Sequence, residues 1–269
     1  MNATKSIICL PLEERPLRNT ICLFDLDGTL CAQEQLLSHE MHEFLYRLRQ
    51  KCAIGYVSGG PLAKQQRQAG TAHLPVTALF DFCFAENGLT AFRMGIPMLG
   101  ESFIEYIGET QYKQFVTWIL RYIADLEIPV KHGTFVELRN GNVNISLVGQ
   151  GASNAEMEKF ERYDKKHRIR KTMITALERE FSYLNLKCAI GGKACFDAFP
   201  KGWDKTYCLR HIEAEKHRSG VTYSKILFFG DCTYEGGNDA ELYEDSRTIG
   251  HTVMGPKDTM RQVKAFFDM

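Results

Sequence analysis

FDLDGTL, residues 24–30, is the stretch whose reading decides the fold. The residues leading into it, Thr20-Ile21-Cys22-Leu23-Phe24, are apolar and partly β-branched, the composition of a buried strand. That strand ends in Asp25, and Asp27 follows one residue later. Gly28 then bends the chain, because glycine alone turns there at little cost. Two carboxylates therefore gather at the C-terminal edge of a sheet, where open α/β sheets hold their ligands. Unshielded, they would repel and one would take up a proton. A divalent cation relieves the repulsion, and hard oxygen ligands on a tight turn suit magnesium. Asp25 is then placed to attack phosphorus, and Asp27 to carry a proton to or from the leaving oxygen.

Outward from this turn, the chain repeats one rhythm. Ser38 is an N-cap, followed by Met41, Phe44, Leu45 and Leu48 at helical spacing. Ala53–Val57 reads as a second strand, ending in Ser58-Gly59-Gly60-Pro61 with a helix behind it, and Phe80–Ala85 as a third. Strands alternating with helices predict a parallel sheet covered on both faces. The rhythm changes after residue 90. One long helical stretch spans 101–126, a hairpin is centred on Asn140-Gly141, two polar helices fill 153–180, and strands cover 186–190 and 194–199. The α/β pattern returns at Gly202-Trp203-Asp204-Lys205, with a strand at Lys225–Phe229 ending in Gly230-Asp231, a short helix opened by Gly236–Asp239, a strand near 252–254 and a helix over 259–267. The expected division is a catalytic core of residues 1–90 and 199–269 with an inserted α+β domain at 91–198. Residues 1–19 read as an arm, although Ile7–Leu12 is apolar enough to pack.

The 269 residues suffice for one large or two modest domains. Hydrophobic residues at 44%, charged residues at 25% and a formal net charge of zero match a soluble globular protein. No basic excess points to nucleic acid or a membrane surface, and no run approaches the ~18 apolar residues of a membrane span. The first 20 residues lack the layout of a secretory leader. Nine cysteines without a C-x-x-C pair suit reduced thiols, and hence a cytosolic protein, better than a disulfide framework or a zinc site.

Four strand or helix ends now carry polar groups: Asp25 with Asp27, Ser58, Lys205 and Asp231. In this order they resemble the haloacid dehalogenase superfamily, a Rossmann-like α/β core often bearing an inserted cap. The resemblance implies phosphoryl transfer, in which positioning and electrostatics do most of the catalysis. Lys205 would then supply a fixed cation, and the Ser58 hydroxyl and Gly59 amide would donate hydrogen bonds. Asp231 would join Asp25 and the main-chain carbonyl of Asp27 around magnesium, with Asp239 orienting Lys205 or a water.

Longer runs narrow the likeness. ENGL (86–89), GTFVELRNG (133–141), NVNIS (142–146), FDAFPKGWDKTYCLRH (196–211) and FFGDCTYEGGNDAE (228–241) are similar to the eukaryotic phosphomannomutases. That resemblance implies a cap-bearing enzyme that moves phosphate between C1 and C6 of mannose with a hexose bisphosphate activator, in the route to GDP-mannose, and a homodimer formed through the cap. It assigns Asp25 as nucleophile, Asp27 as acid/base, Arg139 and Asp197 to the sugar phosphate, and Tyr243, Asp245 and Thr248 to a further ion-binding loop. Several positions depart from it: Glu34, Gln150 and Met157 stand where the family has arginines, and Cys195 where it has the serine of a Ser-x-Asp pair. Three cations are thereby lost and one anion gained, and each charge-assisted hydrogen bond is worth ~1.5–3 kcal/mol. Lys159, Arg162 and Lys193 lie close enough in sequence to compensate as point charges. Three readings follow: a phosphomannomutase, a phosphatase of a monophosphate ester with mutase activity weak or lost, and a non-catalytic regulatory homologue.

Overall fold

The computed structural model describes residues 10–71 and 74–268. The core opens with β1 (Thr20–Phe24), buried along its whole length. α1 (His39–Arg49) starts at Ser38, whose Oγ accepts from Met41 N at 3.1 Å, and buries Met41, Phe44, Leu45 and Leu48. Then come β2 (Ala53–Val57), α2 (Leu62–Ala69), α3 (Val76–Leu79) and β3 (Phe82–Ala85), followed by β4 (Thr90–Arg93) and β5 (Ile96–Pro97). The middle of the chain holds α4 (Phe103–Ile107), α5 (Glu109–Asp125), β6 (Val136–Leu138), β7 (Val143–Ser146), α6 (Asn154–His167), α7 (Ile169–Glu180), β8 (Leu186–Gly191) and β9 (Cys195–Pro200). The last part contributes α8 (Cys208–Glu213), α9 (Glu215–Ser219), β10 (Lys225–Gly230), α10 (Ala240–Glu244), β11 (Thr248–Thr252) and α11 (Pro256–Phe267).

The chain divides into two compact units, residues 1–100 with 204–269, and residues 101–203. The first is built on a seven-stranded sheet ordered β11-β10-β1-β2-β3-β4-β5. β1 pairs in parallel with both β2 and β10, so the connections leave it in opposite directions. The crevice at its C-terminal end is therefore the topological switch point of the sheet. The second unit carries an antiparallel sheet, β6-β7-β9-β8, over a core that includes Phe103, Phe115, Ile119, Phe160, Met173, Leu177 and Phe196.

The structure moves several boundaries. The units meet at 100/101 and 203/204 rather than 90/91 and 198/199, because β4 and β5 fold back antiparallel onto β3 and β9 completes the second sheet. The helical stretch 101–126 is two helices, split at Gly108, whose φ of +80° favours glycine. The last strand is Thr248–Thr252, set by its pairing with β10 rather than by the apolar Val253-Met254. β3 begins at Phe82 because Asp81 is occupied elsewhere: its carboxylate accepts from Arg15 at 2.5 and 2.9 Å, from Arg49 Nε at 2.8 Å and from Ile54 N at 3.0 Å. Arg15 and Asp81 are buried, so residues 10–19 are not a loose arm. The expectation for residues 1–9 lies outside the described residues.

Candidate active site

Asp25 follows the last residue of β1, and its amide donates to Phe229 O of β10 at 2.9 Å. Its side chain is 7% exposed. Lys205 Nζ donates to Asp25 Oδ1 and, at 2.7 Å, to Asp239 Oδ1. Lys205 sits on a single helical turn, Lys205–Tyr207, whose preceding residue Asp204 accepts from Thr206 N at 3.0 Å. Asp239 is fully buried and its second oxygen accepts from Cys232 N at 3.0 Å, which fixes its orientation toward Lys205. Burial pushes Asp25 up to about 7, against the pull of Lys205. Burial acts on Lys205 in the opposite sense, but Asp25 and Asp239 outweigh it and keep the ammonium charged.

Asp27 does not share these partners. Its Oδ1 accepts from Glu34 N and Gln68 Nε2, each at 2.7 Å, and its Oδ2 from Lys64 Nζ at 2.7 Å. Burial alone would raise its pKa, but Lys64, the Glu34 amide and Gln68 together hold it below the usual carboxylate range. The sequence suggested two carboxylates side by side under one cation. Instead each has its own lysine, Lys205 for Asp25 and Lys64 for Asp27. Lys64 and Gln68 were missed because their i,i+4 spacing reads as the solvated face of a helix. The available signal was their place one turn beyond the end of β2, with Pro61 setting the phase.

Ser58 follows the last residue of β2 and is buried. Its Oγ accepts from Gly60 N at 3.3 Å, which leaves its own proton for a ligand. Gly59 is exposed beside it, and no backbone acceptor takes its amide among the described residues. Gly28, with φ +81°, closes the turn after Asp27, and a Cβ there would lie 2.3 Å from Asp231 Oδ2. Glycine at 28 is thus what lets the β1 and β10 loops approach. Asp231, its neighbour Cys232 and Asp239 bring ligand atoms within 4.8 Å of one another. Burial raises Asp231, and Asp239 raises it further.

This donor set fits a hard divalent cation. Buried carboxylates that repel one another call for a counter-charge, and no backbone amide among the described residues donates to the main-chain oxygen of Asp27. The loop expected to hold a further ion makes its own side-chain pairs. Asp245 is held by Arg247 at 2.7 and 2.8 Å, and Thr248 Oγ1 donates inward to Leu242 O at 2.6 Å. The Asp245 carboxylate is thus already paired with an arginine, and the Thr248 hydroxyl is committed to main-chain oxygens.

In the second unit, Arg139 and Asp197 are brought together within one polar network. Arg139 donates to Glu137 Oε2 at 2.7 and 3.0 Å and lies 3.6 Å from Asp197. Asn144 Nδ2 donates to Asp197 Oδ1 at 2.7 Å, and Gln150 Nε2 to Asn144 Oδ1 at 2.8 Å. The one arginine in this group thus faces two carboxylates. Met157 packs against the apolar core, Lys193 is paired with Glu158 at 2.7 Å, and the Glu34 side chain is exposed while its amide serves Asp27.

A largely parallel sheet whose central strand ends in a buried aspartate, with a buried lysine and a second buried acid beside it at the switch point, defines a haloacid-dehalogenase-type phosphotransferase core. A solved HAD-superfamily subclass IIB sugar phosphatase has this fold, with a TM-score of 0.57 at 15% identity over 93% of this chain and 100% of that one. A profile of the eukaryotic phosphomannomutases matches residues 41–269. The phosphomannomutase of Schizosaccharomyces pombe is 49% identical over 260 residues, covering 97% of this chain and 99% of its own. That of Saccharomyces cerevisiae is 44% identical over 264 residues, covering 98% and 100%. The chain belongs to the eukaryotic phosphomannomutase family.

Proposed function

We propose that this chain interconverts mannose 6-phosphate and mannose 1-phosphate through an aspartyl phosphate on Asp25, supplying the route to GDP-mannose. The observation that carries the reading is the Asp25 carboxylate, buried at the end of β1 and locked to a charged Lys205. Asp25 takes a phosphoryl group from a hexose bisphosphate activator: the new bond forms at an Asp25 oxygen, the sugar–oxygen bond to phosphorus breaks, and Asp27 moves the proton of that sugar oxygen. Transfer to the other end of the sugar reverses these roles. Lys205, the Ser58 hydroxyl and the Gly59 amide oppose the charge that spreads over the phosphoryl oxygens. Magnesium, held by Asp25, Asp231 and the main-chain carbonyl of Asp27, would neutralise the carboxylates and the incoming phosphate. A cytoplasmic homodimer formed through residues 101–203 completes the proposal, with sugar phosphates as substrate and activator and neither nucleic acid nor a membrane as partner. No helix of the described residues is long and apolar enough to cross a membrane.

A second reading rests on the network around Arg139. With Glu137 and Asp197 both facing this arginine and Gln150 tied to Asn144, the group carries a surplus of negative charge and is a poor seat for a second phosphate. Phosphatase action on a monophosphate ester is the activity that such a group allows. The intact Asp25–Lys205–Asp239 array weighs against a non-catalytic role. The test is a coupled assay with mannose 1-phosphate, magnesium and a hexose bisphosphate, run beside a phosphate-release assay. Isomerisation abolished by Asp25→Asn supports the mutase. Phosphate release without isomerisation selects the phosphatase, and full activity in Asp25→Asn overturns both.

A further inference from the structure

The turn Glu86-Asn87-Gly88 follows β3 and lies beside the loop that ends β2. All three of its residues have positive φ, +48°, +64° and +107° in order. Glycine adopts that region freely and asparagine tolerates it, but glutamate rarely enters it. Strain of this kind persists only where the surroundings enforce it, and it gathers at functional sites.

The turn holds two pieces of the phosphoryl site at once. Toward β2, Asn87 N donates to Ser58 O at 2.9 Å and Glu86 N donates to Gly60 O at 3.0 Å. In extended backbone successive amides face opposite sides, whereas this left-handed turn brings both to one loop. Toward the lysine, Gly88 O accepts from His211 Nε2 at 2.8 Å, and a Cβ on Gly88 would lie 3.1 Å from Cys208 Cα. Cys208 directly follows the single helical turn that carries Lys205.

The bond to Ser58 O acts across a peptide plane. The Ser58 carbonyl and the Gly59 amide belong to one planar trans peptide, so the C=O and the N–H point in opposite directions. Tying the carbonyl to Asn87 therefore turns the Gly59 N–H away from the turn. The flanking groups are fixed as well, since Ser58 N donates to Phe84 O at 2.9 Å and Gly60 N to Ser58 Oγ at 3.3 Å.

We propose that the Glu86–Gly88 turn aims the Gly59 amide at the phosphoryl oxygens, and that Asn87 is a positioning residue which acts through its backbone rather than its side chain. The inference rests on the reading of Gly59 as a phosphoryl donor, and it applies equally to the mutase and the phosphatase, which share that transfer.

A backbone role makes activity follow the conformation open to residue 87. Asn87→Gly removes the side chain but keeps the left-handed turn and its amide, whereas the branched side chain of Asn87→Val opposes positive φ. In the isomerisation and phosphate-release assays, kcat is expected to fall ~10²-fold in Asn87→Val with KM near the parent value, the pattern of a lost transition-state donor. Asn87→Gly is expected to keep kcat within about threefold of the parent. Thermal melts establish that each variant is folded at the assay temperature. Equal losses in the two variants, or parental kcat in folded Asn87→Val, overturn the proposal. Where Asn87→Val does not fold, Asn87→Ala replaces it and must lie at least about tenfold below Asn87→Gly. Asp25→Asn, run alongside, separates the two ways of failing. Turnover that survives Asp25→Asn removes the phosphoryl-site reading itself, whereas its loss beside an unimpaired Asn87→Val removes only this inference.

Discussion

At the scale of single residues, the site separates two carboxylates that the sequence places one residue apart. Asp25 is buried with a lysine that does not leave it, whereas Asp27 is held by a longer-reaching lysine and an amide on α2. A proton carrier clamped as an anion needs its clamp loosened when the substrate's oxygen arrives, and Lys64 is the part of the clamp best able to move. Lys64→Ala therefore changes the acid/base step and leaves the fold intact, because Lys64 is one-third exposed. We expect turnover to fall by ~10²-fold, the lower end of what acid–base catalysis contributes, with an unchanged melting temperature. Unaltered kcat would mean that Lys64 is ornamental. Sequence alone singled out Asp25, Asp27, Lys205 and Asp231 as candidates, because each stands just beyond the end of a strand or at the start of a helix. It did not reveal Lys64 and Gln68, whose roles depend on the rotation of α2 about its own axis, nor the pairing of Asp245 with Arg247, which is settled by side-chain reach.

At the scale of elements, most strands and helices were legible because their periodicities are strong, as in β1, β2, β10 and α1. What was not legible was decided by contacts distant in sequence. Residues 10–19 carry no periodicity, yet Arg15 threads to Asp81, 66 residues on, and also donates to Cys52 O at 3.0 Å. Removing one partner of a buried pair leaves a charge without compensation. Arg15→Met is expected to cost ~3–5 kcal/mol, measured as a shift in the urea midpoint at constant slope. A cost near zero would show that Arg49 alone satisfies Asp81. α8 offers a pH-dependent counterpart. His211 lies on it, stacked on Phe84, with Nε2 donating to Gly88 O at 2.8 Å. Burial lowers its pKa, so the fold favours the neutral ring. Its contribution is complete above the unfolded value of about 6.5 and is lost as pH falls below it, since the unfolded chain then binds the extra proton. Melting temperature should drop more between about pH 7.5 and 5.5 in the parent protein than in His211→Gln, and equal drops would contradict this.

At the scale of the whole molecule, positive and negative charges balance at 33 each, so the electrostatics are local rather than global. They are least balanced around Asp231, where three carboxylates, Asp25, Asp231 and Asp239, share one lysine. Such a cluster costs stability unless a cation joins it. Metal binding to the folded state alone stabilises by RT ln(1 + [L]/Kd), about 2.7 kcal/mol at a hundredfold excess over Kd. Chelation is therefore expected to lower the melting temperature as well as stop turnover, and restored magnesium to recover both. Asp231→Asn distinguishes this from a general salt effect by a change of sign. Without magnesium the variant lacks one repelling charge and should melt higher than the parent. With magnesium it lacks a ligand and should melt lower, no longer responding to the metal. If Asp231→Asn melts below the parent under both conditions, Asp231 is a structural acid, and the cation must be sought elsewhere on the β1 turn.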